Sequence, residues 1–205
     1  MSEQTIKTLL RNDDQSAAQK IGFLLLNDFS MLAFSAAIEP LRQANRQSNK
    51  ELFDWVIASI DGNPSKASNG VVISCDGASD ILQNCRMVFV CAGINVRANT
   101  DKSVLNIVRR LDRNGAVIGA ICTGTYVMAA AGLLEDRRCT IHWENIDGLA
   151  EEFPELEITN DLFEVDGTRV TCSGGTAALD MMLNLITQTH GAQLAAEVSD
   201  QFIHD

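Results

Sequence analysis

Three short runs, residues 21–26, 87–91 and 116–121, carry no charged or strongly polar side chain. Five or six apolar residues are too few for a buried helix. They also lack the alternation of a strand with one wet face, so each reads as a strand covered on both sides. Strands of that kind belong to a parallel sheet between two helical layers, and parallel neighbours need crossover connections.

The residues between the runs supply those crossovers. From Ser30 to Asn45, Met31, Leu32, Phe34, Ile38 and Leu41 recur at helical spacing, with Pro40 expected to kink the helix. A second helix is expected from Thr100, read as its N-cap, along the stripe Val104, Leu105, Ile107, Val108 and Leu111; Gly115 follows the basic last turn of Arg109, Arg110 and Arg113. Residues 126–134 and 176–191 complete the helical set. Further strands are expected at 53–60 and 139–142, a hairpin piece at 71–75, and a hairpin of 162–165 with 169–172 about Asp166 and Gly167. The order predicts one α/β domain over residues 20–205: a mostly parallel, flavodoxin-like sheet with helices on both faces, behind a polar leader at residues 1–19.

Composition narrows the function. With 16 Lys+Arg against 27 Asp+Glu, the net charge of −11 argues against this chain alone gripping a phosphate backbone. No stretch reaches the ~18 uninterrupted apolar residues of a membrane helix, and a cytoplasmic location is expected. The six cysteines, at 75, 85, 91, 122, 139 and 172, form no C-x-x-C pair and stand at no metal-ligand spacing. Reduced thiols are expected, with no metal and no cofactor.

The sharpest local feature is Gly119, Ala120, Ile121, Cys122, Thr123 and Gly124, where a buried strand delivers a thiol to a helix start through small residues. Such a turn suits a nucleophile elbow: the helix N-terminus favours thiolate, and the Thr123 N–H would be an oxyanion donor. A small buried core cysteine fits the local pattern equally well. His142 is expected at a strand end facing the thiol, with Glu144 two residues on pointing the same way to orient the imidazole or bind a cation; a lone hydrogen-bonded structural histidine is the plainer alternative. The turn at Gly93 and Ile94 sits where an open α/β sheet keeps its ligand crevice, and its N–H groups could face a carboxylate, or the glycine could serve the turn alone. Trp143 stands beside the same candidate pocket. Ser173 to Thr176 lacks the lysine and spacing of a phosphate loop and is read as a helix cap. His190 and His204 receive no role.

The order of these features resembles a family. Phe29 to Ala33 entering a helix with Glu39 to Asn45, then Ser68, Asn69 and Gly70, then Gly119 to Gly124, then Thr140 to Glu144, are similar to the sensor half of AraC-type transcriptional regulators. Those sensors have the class I glutamine amidotransferase-like, or PfpI-like, fold. The likeness is strongest to regulators answering arginine, carnitine or glycine betaine. It implies an effector pocket formed by Gly93, Ile94, Cys122, Thr123, His142, Trp143 and Glu144, a homodimer, and DNA contacted only through a C-terminal helix-turn-helix module expected to lie beyond this chain. PfpI-like enzymes carry a carboxylate on the first helix where this chain has Ala33, so no catalytic residue is expected. A cysteine-dependent amidase, peptidase or deglycase using Cys122 and His142 is the alternative.

Overall fold

In a computed structural model, which describes residues 17–204, the expected layers form. In chain order the elements are β1 (Gln19–Leu25), α1 (Met31–Ser48), β2 (Phe53–Ser59), β3 (Ser65–Lys66), β4 (Val72–Ile73), β5 (Gly77–Ala78), β6 (Met87–Cys91), α2 (Lys102–Arg113) and β7 (Val117–Ile121). They continue with α3 (Gly124–Ala130), β8 (Arg138–Cys139), α4 (Ile146–Glu152), β9 (Glu157–Ile158), β10 (Phe163–Asp166), β11 (Arg169–Cys172), α5 (Ala177–His190) and α6 (Ala192–Gln201). The main sheet runs β10-β11-β7-β6-β1-β2-β5. All its pairings are parallel except the β10–β11 hairpin. Most of the expected leader, residues 1–16, lies outside the described residues; Gln19 already belongs to β1.

The three apolar runs are the centre of this sheet, and alternate residues of each feed two separate cores. On one face Phe23 stacks on Phe89 at 5.8 Å and meets Phe34 of α1 edge-on at 5.5 Å. Residues of α5 and α6 close this side. On the other face Leu24, Val90 and Ile118 pack under α2, α3 and α4. A sheet wet on neither face has no reason to alternate polar with apolar, which is why the runs are uninterrupted.

Several local expectations are corrected. Asp101, not Thr100, caps α2: its carboxylate accepts from the N–H groups of Ser103 and Val104, and a charged acceptor at a helix start outcompetes a hydroxyl one residue earlier. Helix α1 continues past its expected end at Asn45 to Ser48. The strand expected at 139–142 is only Arg138–Cys139; the chain then turns at His142 into a 3-10 turn, Trp143–Asn145. Thr176 stands at the N-cap of α5 but makes no side-chain cap bond. Helices α4 and α6 were not expected: α4 has seven residues, too few to show a period, and α6 follows α5 after Gly191 alone.

Candidate functional site

Strand β7 delivers Cys122 to the carboxyl edge of the sheet with φ at +62°, a left-handed conformation that a side chain bearing a Cβ adopts only under constraint. Its N–H donates to the Cys172 carbonyl at 3.1 Å, and Thr123 Oγ1 donates to the Gly93 carbonyl at 2.6 Å. From the far side Gly174, itself at φ +91°, approaches so closely that a Cβ there would lie 2.7 Å from that of Cys122. The elbow is thus clamped from the ends of two neighbouring strands, β6 and β11.

The clamp does not make a thiolate. Burial, with a smaller push from the Glu144 carboxylate, raises the Cys122 pKa to about 11, and the N–H of Thr123 offsets only part of that. Here the expectation that the helix start favours thiolate is corrected: of the helix start only the Thr123 N–H acts on the thiol, and the cost of dehydrating the charge outweighs it. All six cysteines are free thiols.

Beside the elbow opens a cavity of about 530 Å³. Of the residues expected in it, Gly93, Ile94, Cys122, Thr123, His142 and Glu144 line its wall. Trp143 does not. It is 72% exposed and borders a neighbouring cavity of about 300 Å³ with Asp161, Leu162 and Gly174, because the 3-10 turn swings it to the other side of His142. His142 borders both cavities. Its Nδ1 lies 3.7 Å from Glu144 Oε2, so the two side chains do meet, through the turn rather than an extended segment. Among the described residues no hydrogen bond joins His142 to the thiol. Nor is any group of three or more His, Cys, Asp or Glu side chains there placed to hold a metal. Gly93 has a packing reason of its own: a Cβ would lie 2.2 Å from the Asp28 carbonyl, where the two turns bridge.

Tyr126 and Arg97 are among the cavity residues that went unnoticed in the sequence. Tyr126, the chain's single tyrosine, lies in the first turn of α3, next to the elbow. Arg97 lies in the loop after β6, where no periodicity operates. Its guanidinium pairs with Glu152 of α4 at 3.0 Å and lies 5.6 Å from the centre of the Tyr126 ring. The Tyr126 hydroxyl donates to the other Glu152 oxygen at 2.7 Å.

The model of the DJ-1/PfpI family matches residues 19–188, the whole sheet and most of α5. The chain belongs to the DJ-1/PfpI family. Within the family its curated relatives include the HTH-type transcriptional regulator CdhR of Pseudomonas aeruginosa, 47% identical over 91% of this chain and 55% of that protein. The HTH-type transcriptional regulator GbdR of the same species is 40% identical over 91% of this chain and 51% of that protein. Among solved structures, an AraC family transcriptional regulator from Pseudomonas putida superposes with a TM-score of 0.82 at 26% identity, over 90% of this chain and 99% of that one. The chain therefore spans about half the length of the curated relatives it matches. Where the resemblance to PfpI-like enzymes would place a carboxylate, Ala33 is fully buried in the apolar cluster that also holds Cys122.

Proposed function

We propose that residues 20–205 form the effector-sensing and dimerising domain of an AraC-type transcriptional regulator, and that the cavity beside Cys122 holds a small amino-acid-like or quaternary-ammonium effector. One observation carries this reading: the elbow that would hold a nucleophile has the buried, apolar Ala33 where the enzymes' carboxylate would stand, and burial pushes the Cys122 thiol up rather than activating it. What remains is a preformed cavity at the carboxyl edge of a parallel sheet, where such folds bind ligands. Kinship with HTH-type regulators supports the same reading. DNA would be contacted by a helix-turn-helix module C-terminal to this domain, in the cytoplasm, and Gly93, Ile94, Cys122, Thr123, His142 and Glu144 would form the effector wall.

The elbow geometry favours a second reading, a cysteine-dependent hydrolase using Cys122 and His142. A panel of ester, amide, peptide and glyoxal-adduct substrates separates the two. Turnover equal in wild type and Cys122→Ala is the sensor result; multiple turnover that Cys122→Ala abolishes would overturn it. Sedimentation velocity checks the dimer.

A further inference from the structure

The outer wall of the large cavity has two parts, the loop after β6 and helix α4, and one charged latch ties them together. Arg97 reaches from the loop with Nε 3.1 Å and Nη2 3.0 Å from Glu152 Oε2, while Tyr126 holds Oε1. Nη2 also reaches the Gly148 carbonyl at 3.5 Å. Arg97 and Tyr126 line the cavity; their shared acceptor, Glu152, does not. Two donors thus border the ligand space while the carboxylate that occupies them stands behind.

The latch is weak by its setting. The Arg97 side chain is 63% exposed and that of Glu152 40%, and ion pairs in such contact with water contribute little. A ligand carboxylate drawn into the cavity would meet the same guanidinium with more water excluded, and would bring the planar geometry that arginine pairs with best. Elsewhere on the wall stands Glu144, whose carboxylate lies 3.7 Å from His142 Nδ1 and pairs with no Lys or Arg among the described residues. A single small molecule carrying both a carboxylate and a cationic group satisfies both ends.

We propose that Arg97, assisted by Tyr126, is the specificity-determining residue for the effector's carboxylate, and that Glu152 is the internal carboxylate that the effector displaces. The proposal rests on the effector-sensing reading and adds to it a polarity: carboxylate toward Arg97 and Tyr126, cation toward Glu144. Displacement also breaks the charged contact between the loop and α4.

Titration calorimetry on the full chain tests it with matched probes: glycine betaine against choline, and arginine against agmatine, each second compound keeping the cation and lacking the carboxylate. Wild type is expected to prefer a carboxylate-bearing partner by ~10-fold or more, the scale of a charge-assisted hydrogen bond. Arg97→Met should erase that preference, through lost affinity for the carboxylate-bearing compound. Glu152→Gln should tighten the carboxylate-bearing compound about threefold or more, since it removes the competing charge but keeps an acceptor for Tyr126; a merely structural Arg97–Glu152 pair would not give tighter binding. Cys122→Trp and Gly148→Phe, which fill the cavity from two sides, should abolish binding of every probe. If both filled variants bind undiminished, the effector-sensing reading falls. If they lose binding but Arg97→Met keeps the full carboxylate preference, or Glu152→Gln fails to tighten it, the latch proposal falls and the cavity stands. Choline or agmatine binding as tightly as its partner in wild type overturns the latch alone, and no binding by any probe overturns both.

Discussion

Alkylation of Cys122 by iodoacetamide should be slow at neutral pH and should accelerate about tenfold per pH unit until past pH 10. The thiol titrates at about 11, so at pH 7.5 its thiolate fraction is on the order of 0.0003, against ~0.1 for a free cysteine of pKa ~8.5. That deficit is about 300-fold. A more basic thiolate is also more nucleophilic, by ~10-fold over this interval, which leaves a net rate about 30-fold below the free thiol. Restricted entry to the cavity lowers the absolute rate further but cannot alter its slope against pH. The assay is peptide-resolved mass spectrometry over pH 7 to 10.5, with the guanidinium-unfolded chain as reference. A rate that levels off below pH 8 would mean a depressed pKa, and with it an activated nucleophile; the reasoning from burial would then be wrong.

Other thiols make the fold sensitive to alkali. Burial lifts Cys139 to about 11 and Cys172 to about 12, above the ~8.5 they would have unfolded, so their contribution is fully present below pH 8.5 and is lost as pH rises through 11 to 12. Guanidinium midpoints under reducing conditions should fall between pH 8.5 and 10.5, and fall less in Cys172→Ala; equal slopes in the two chains would contradict this. Gly174→Ala should cost about 2–4 kcal/mol, combining a left-handed residue with a Cβ forced onto Cys122, and a urea midpoint within experimental scatter of wild type would refute the clamp.

How much the sequence disclosed depends on what kind of signal each residue left. The central strands were legible because a sheet buried on both faces admits no polar residue, so Leu24, Val90 and Ile118 announce themselves. The elbow was legible because there is no room for a Cβ at Gly119, against the Phe89 ring, or at Gly124, against the Val90 carbonyl. The electrostatics were not. Local pattern shows Cys122 at a helix start, but the cost of dehydrating its charge comes from Cys172, Gly174 and the neighbouring strand ends, which are distant in sequence. Trp143 was misplaced for a similar reason: a single 3-10 turn after His142 reverses the side on which the indole lies, and no residue type there marks that turn. Arg97 and Glu152 are 55 residues apart and meet only through the fold.

On the proposed function, the cavity beside Cys122 receives an effector without reacting with it. Crystals of the chain grown with arginine, carnitine or glycine betaine test it most directly, because difference density reports both the ligand's position and its bonding to sulfur. One of these molecules is expected between Thr123 and Tyr126, in contact with Arg97, with Cys122 Sγ unmodified. Density continuous with Cys122 Sγ, or ligand bound only outside this cavity, would contradict it.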